Sequence, residues 1–239
     1  MTAFRGSLVA TILLVVVGTA QAQELKVGNT YRDAVQITKD SGGIILPLPK
    51  GEWKLVALEP SRYTSTDSNL AALNGALVSL ELSKQKRLKS FITFYIVASD
   101  MFHGGWKVPP FCDANDLLYR QKTEARQRRD IRCWGIKSYG LGTSPNSAQW
   151  WRDTQDWITK NTVHKPASAI GITYYRASGP KLLNVQYFFN PEAVGQARTG
   201  WTSSLVEADP KKKKYIDSLK GFGTRWEPRV ETGFVGQQP

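Results

Sequence analysis

Histidine, cysteine and methionine are nearly missing from this 239-residue chain, which holds two of each. The two histidines, His103 and His164, lie 61 positions apart, so neither a His-x-x-x-His pair nor a His-Glu-x-x-His helix can be drawn. No Asp-x-Asp-x-Asp-Gly loop offers calcium its oxygen ligands, and no Gly-x-x-x-x-Gly-Lys-Ser loop offers a phosphate its backbone cradle. Ser138, in Gly135-Ile136-Lys137-Ser138-Tyr139-Gly140, has the wrong glycine spacing for a nucleophile elbow, and Ser144 is followed by Pro145. No metal, cofactor or catalytic residue is therefore assigned. One enzyme class survives this pass: a glycan or cell-wall hydrolase pairs carboxylates in space and leaves no short motif.

Long apolar runs are also missing. The longest, Leu8–Gly18, spans about 11 residues where a membrane-crossing helix needs roughly 20. It follows Arg5 and precedes Ala20-Gln21-Ala22, the order of n-region, h-region and small-residue cleavage site in a secretory signal. Residues 1–22 are read as that signal, with cleavage before Gln23, and residues 23–239 as a single exported domain. No Asn-x-Ser/Thr acceptor occurs, which removes one argument for a glycosylated eukaryotic product; a bacterial periplasm is the favoured destination, with an extracellular one as the alternative.

In such a compartment a lone pair of cysteines is expected to bridge. Cys112 and Cys133 would close a loop of about 22 residues, a staple of about 3 kcal/mol by loop entropy. The enclosed segment is polar, with Asp113, Glu124, Arg126, Arg128, Arg129, Asp130 and Arg132, and has little apolar surface to hold itself down. A catalytic thiol would need His103 or His164 beside it, which nothing in the spacing supports.

What the chain does have is β-forming sequence and positive charge. Leu25–Thr38 reads as an extended lead-in, and Asp40-Ser41-Gly42-Gly43 as a turn. Ile44–Leu48, Glu52–Leu58, Ala76–Leu82 and Phe91–Ala98 read as strands of a meander, with Ser61–Asn69 as a polar connection. Met101–Pro110 reads as loop, Asp113–Arg129 as a polar helix and Ile131–Tyr139 as a strand. Ala169–Arg176 and Leu182–Phe189 flank Ser178-Gly179-Pro180 as a hairpin. Trp150, Trp151, Trp157 and Ile158 mark a helix capped from Ser144-Pro145-Asn146-Ser147. Asp209-Pro210 opens a second helix through Tyr215, Ile216, Leu219, Phe222, Trp226, Val230 and Phe234, with a kink or break expected at Pro228. Grouped strands followed by helices give an α+β class: a mostly antiparallel sheet covered by two or three amphipathic helices, with one disulfide. The eight tryptophans are read as packing residues.

The stretch Leu46-Pro47-Leu48-Pro49-Lys50-Gly51-Glu52-Trp53 resembles the Pro-x-Gly-x-Trp opening of several small exported α+β domains, and the chain resembles uncharacterised exported bacterial proteins. The resemblance implies a periplasmic address and carries no functional residue.

The formal charge is +12, and loss of Arg5 leaves the mature chain near +11. Two clusters stand out as candidate anion contacts: Arg126, Arg128, Arg129 and Arg132, and Lys211, Lys212, Lys213 and Lys214. The lysines open a helix, where positive charge opposes the dipole. A nucleic-acid partner is not indicated, since no recognition motif accompanies the charge. Anionic lipid or a cell-envelope polymer suits an exported chain better. The expected function is thus a non-enzymatic binding or accessory protein whose basic face meets an anionic envelope component.

Overall fold

The computed structural model describes residues 25–38, 43–64, 69–98, 105–121, 124–126 and 130–239. The signal segment, most of the Asp40–Gly43 turn, His103, Arg128 and Arg129 lie outside the described residues.

Among the described residues eleven strands form in chain order: β1 (Thr30–Tyr31), β2 (Ala34–Thr38), β3 (Ile44–Pro47), β4 (Trp53–Thr64), β5 (Asn69–Ser79), β6 (Ser90–Ala98), β7 (Tyr119–Arg120), β8 (Glu124–Arg126), β9 (Asp130–Gly140), β10 (Ser168–Ser178) and β11 (Lys181–Phe189). Three helices join them: α1 (Gln149–Asn161), α2 (Ser203–Glu207) and α3 (Pro210–Phe234). The fold is mostly antiparallel sheet with three helices and the Cys112–Cys133 disulfide.

The main sheet has the order β1-β4-β5-β6-β11-β10-β9-β7, with β8 also on β9. Every pairing in it is antiparallel, and β10 and β11 form the expected hairpin, turning at Gly179 with φ of 53°. β3 leaves this sheet and pairs only with β2.

Period-2 alternation gives the sheet two different faces. On one, Leu55, Leu77, Ile92, Phe94, Ile96, Trp134, Ile136, Ile170, Ile172, Tyr174, Leu183, Val185 and Tyr187 join a core with Ile44, Leu46, Leu48 and the buried side of α3. Ile216, Leu219, Trp226, Val230 and Phe234 are the α3 members of that core. Two glycines let α3 approach closely: a Cβ on Gly223 would lie 2.5 Å from the Trp134 ring, and one on Gly233 would collide with the Ile45 carbonyl. The Tyr174 hydroxyl donates to the Gly223 carbonyl at 2.8 Å, a buried bond that fixes the same contact.

The opposite face carries two separate apolar clusters. One gathers Val56, Ala57, Ala76, Val78, Phe91, Phe188 and Ile158 of α1. The other gathers Leu70, Ala72, Val97, Ile131, Ala177, Leu182, Trp106 and the disulfide. Trp106 is fully buried and its indole N–H donates to the Gly179 carbonyl at 2.9 Å.

Several sequence expectations are corrected. The described residues of Asp113–Arg129 form no α-helix: a 3-10 turn (Pro110–Asp113) leads to β7 and β8, which pair with β9. The edge of β9 offers unpaired backbone groups, and a polar segment without an apolar stripe gains more by pairing there than by coiling. The Ser61–Asn69 connection is shorter than expected, because β4 runs to Thr64 and β5 starts at Asn69. α3 runs unbroken through Pro228, held on both sides by buried Trp226 and Val230. The cap of α1 also differs. Ala148 occupies the N-cap position without a side-chain bond, and the Glu59 carboxylate of β4 accepts the Trp150 N–H at 3.0 Å instead. A carboxylate there also meets the positive end of the helix dipole.

Candidate functional site

Three regions gather the polar chemistry of the described residues: a cleft between the two apolar clusters, an ion-pair network beside α3, and one cationic end of the sheet.

The cleft follows from strand register. Asn74 of β5, Tyr95 of β6, Asn184 of β11 and Tyr175 of β10 are successive partners, so they form one row across four strands. The next row is Ala76, Thr93, Gln186 and Thr173. Cavities of about 280 and 230 Å³ lie over these rows and share Asn184 and Gln186. Pro109, Pro110 and Phe111, next to the disulfide, wall one side, and Trp150 of α1 walls the other.

Inside the cleft the Thr93 hydroxyl donates to Gln186 Oε1 at 3.1 Å. Gln186 Nε2 donates to the Tyr139 hydroxyl at 3.3 Å, which lies 3.0 Å from Thr173 Oγ1. Gly171 permits this: a Cβ there would run into the Tyr139 ring, which crosses the glycine to reach the next row. Burial pushes the Tyr139 phenol above its usual range, and Tyr95 likewise. Asn184 Oδ1 is buried and accepts no hydrogen bond from the protein. Lys137 at the rim is paired with Asp116 at 2.6 Å.

The ion-pair network sits at the far end of β9 and β10. Arg176 pairs with Asp130 and, at 2.9 Å, with Glu231 of α3, while Arg132 pairs with Glu124 at 2.9 Å. Glu227 accepts from the Trp134 indole at 3.2 Å and from Gln121. Burial raises the Glu231 carboxyl above the usual carboxylate range although Arg176 works against it. Glu124, Asp130, Arg132 and Arg176 line a cavity of about 150 Å³. Each of its carboxylates is already held by an arginine, so a free acid and base pair is not formed here.

The third region collects loops. Antiparallel register puts the β5–β6 connection, the α1–β10 connection and the β11–α2 connection at one end of the sheet. Val163 N–H meets the Lys86 carbonyl at 3.4 Å, and Glu192 pairs with Arg87 at 3.4 Å and Arg198 at 3.8 Å, which ties the three connections together. α3 starts at the same end: Lys212 Nζ donates to the Gly200 carbonyl at 2.8 Å and lies over the Trp201 ring.

The two basic clusters read from the sequence therefore part company. Lys211–Lys214 join Lys84, Lys86, Arg87, Lys89, Lys160, Lys165 and Arg198 at this end, while Lys213 pairs with Glu207 at 3.0 Å. The β8 residue Arg126 belongs to the opposite end, about 33 Å away at roughly 3.3 Å for each of ten steps along β9, and Arg132 lies two steps nearer. His164 lies in the α1–β10 connection, and no group of three His, Cys, Asp or Glu suited to a metal occurs among the described residues. Among the described residues no helix is long and apolar enough to cross a membrane.

The cleft was missed in the sequence although it had a signal: Asn184 and Gln186 alternate with Val185 and Tyr187, and Thr93 and Tyr95 with Phe94 and Ile96. Polar residues at every second position of a central strand, with apolar ones between, mark a wet face. Comparison of the chain with known protein families, characterised proteins and solved structures finds no match.

Proposed function

We propose that this is an exported, non-enzymatic accessory protein of the bacterial periplasm that docks on an anionic phospholipid surface through the cationic end of its sheet. One observation carries the reading. That end gathers eleven Lys and Arg (84, 86, 87, 89, 160, 165, 198 and 211–214) against Glu81, Glu192, Glu207, Asp209 and Asp217, and the Arg32–Glu52 pair beside Leu80 adds no net charge. The connections there hold Leu80, Leu82, Val163 and Val194, and α2 adds Leu205, together five of the seven large aliphatics exposed among the described residues. Exposed apolar side chains set among cations suit a headgroup surface, where tails enter the interface and ammonium groups meet phosphates. In this reading α1 and α3 are amphipathic covers over the two faces, which leaves the end of the sheet free to meet the membrane.

Flotation of the mature protein with phosphatidylglycerol vesicles tests the proposal, with phosphatidylcholine vesicles as control. Binding to the anionic vesicles should fall as salt rises. The variant K84Q/K86Q/K160Q/K165Q should lose on the order of a hundredfold or more in affinity, at about 1 kcal/mol per cation near the surface. Arg132→Gln, at the other end, should leave binding unchanged. Equal binding to both vesicle types, or none to either, overturns the proposal. Capture by an anionic polysaccharide without vesicle binding would move the partner from lipid to envelope polymer and overturn it as well.

A further inference from the structure

From the polar rows across β5, β6, β11 and β10 we infer that the cleft between α1 and the disulfide loop is a binding site for a neutral oligosaccharide. This goes beyond docking at the cationic end and stands on separate residues.

The lining decides the ligand class. Asn74, Asn184 and Gln186 carry amides that both donate and accept, and Thr93, Thr173 and Tyr139 carry hydroxyls that do the same. Vicinal sugar hydroxyls also do both, so each can be matched from either side. Trp150 and Tyr95 in one half of the cleft, and Phe111 and Tyr175 in the other, add ring faces for the C–H faces of a pyranose. Among the described lining residues the one cation, Lys137, is committed to Asp116, so none of them selects a charged ligand. Asn184 Oδ1, buried and without a partner in the protein, is the acceptor a ligand hydroxyl would satisfy. With shared walls at Asn184 and Gln186, the two cavities approach or reach the range of small-molecule sites, on the order of 300–1,000 Å³.

A peptide is the competing ligand, and the topology argues against it. The cleft floor is the face of strands paired on both sides, whose backbone groups are already used in the ladder. A peptide strand could not add to an edge there, and would lose the main-chain bonds that give such binding its affinity.

The test is calorimetric titration of the mature, disulfide-bonded protein with tri-N-acetylchitotriose, maltotriose and trialanine. Saturable binding of at least one trisaccharide, unaffected by salt, is expected. Trp150→Ala and Asn184→Ala should each weaken it at least tenfold, while circular dichroism and the thermal midpoint show both variants folded. Lys84→Gln should leave it unchanged, which separates this site from the membrane-facing end. Binding of neither trisaccharide in the millimolar range, or binding indifferent to both substitutions in folded protein, overturns the inference. So does tighter binding of trialanine.

Discussion

On the α3 side of the sheet, β6 presents Ile92, Phe94 and Ile96 and β11 presents Leu183, Val185 and Tyr187. On the other side the same two strands present Thr93 and Tyr95, Asn184 and Gln186. The backbone, the register and the twist are shared, so the difference lies in side chains alone. One face can hold a continuous core and anchor a 25-residue helix. The other holds apolar clusters only at its two ends, where α1 and the disulfide segment sit, and keeps its middle polar. A sheet that spends the centre of a face on amides and hydroxyls gives up the burial that would stabilise it most, at about 25 cal/mol per Å² of apolar surface. That loss is the physical reason to look for function there.

The comparison is tested most severely by truncating one residue on each face. Trp134 is fully buried, touches the rings of Tyr119 and Tyr174, and donates to Glu227. Trp134→Ala should cost about 3–5 kcal/mol, since the cavity it leaves is walled by α3 and cannot collapse. Thr93 is as deeply buried on the other face, at 4% exposed. Thr93→Val keeps its shape and removes only the bond to Gln186, at about 1 kcal/mol. Urea unfolding of both variants measures the contrast. Equal losses would mean that the polar band is as much a part of the core as the α3 face.

Much of this architecture was legible because hydrophobic period and turn residues act locally. The β10–β11 hairpin follows from two aromatic strands around Ser178-Gly179-Pro180, and the start of α3 from Asp209-Pro210, where the Asp209 carboxylate caps Lys211 and Lys212 N–H. The failures came from partners distant in sequence. β7 and β8 exist because β9 has a free edge, and α1 is capped by Glu59, 91 positions away. The candidate sites show the same limit. Charge clusters are visible in the sequence, but only contacts between distant segments place Lys211–Lys214 at the same end of the sheet as Lys84 and Lys86, with Arg132 toward the other end. The cleft needed four strands in line before its rows existed.

A middle-sized effect is expected where α3 meets the sheet through charge. Arg176, with 15% of its side chain exposed, holds both Asp130 and Glu231. Arg176→Met strips Glu231 of its main compensation, and a partly exposed pair of this kind should cost about 2 kcal/mol at neutral pH, below the figure for full burial. The sign of its pH dependence follows from Glu231. Burial raises that carboxyl in the folded state, so the native protein holds the proton more tightly than the unfolded chain and stability falls as pH rises through the window above the usual Glu value. Without Arg176 the folded value rises further. The variant's deficit should therefore be small near pH 4 and grow toward pH 8, read from denaturation midpoints across that range. A deficit independent of pH would place the role of Arg176 in packing over the Phe234 ring, 5.1 Å from its guanidinium carbon, and not in charge.

The smallest expected change is a gain. Gln155 of α1 is 1% exposed, and neither its Oε1 nor its Nε2 has a hydrogen-bond partner. It lies one turn before Ile158, which packs into the apolar cluster with Ala57, Ala76 and Phe188. A buried amide without partners carries a desolvation penalty that nothing returns. Gln155→Leu, close in size and apolar, should raise stability by about 1 kcal/mol and lift the thermal midpoint by a few degrees for a chain of this length. The gain would also separate two kinds of polar group on this face. Thr93, Gln186 and Tyr139 bond to one another and line the cleft, so their replacement should cost stability or ligand affinity. Gln155 lies outside the cleft lining, under α1, so its replacement should cost neither, and trisaccharide binding should survive the substitution unchanged. If Gln155→Leu instead weakens binding, the amide reaches the cleft through α1, and the polar band extends further toward the helix than the rows on the strands indicate.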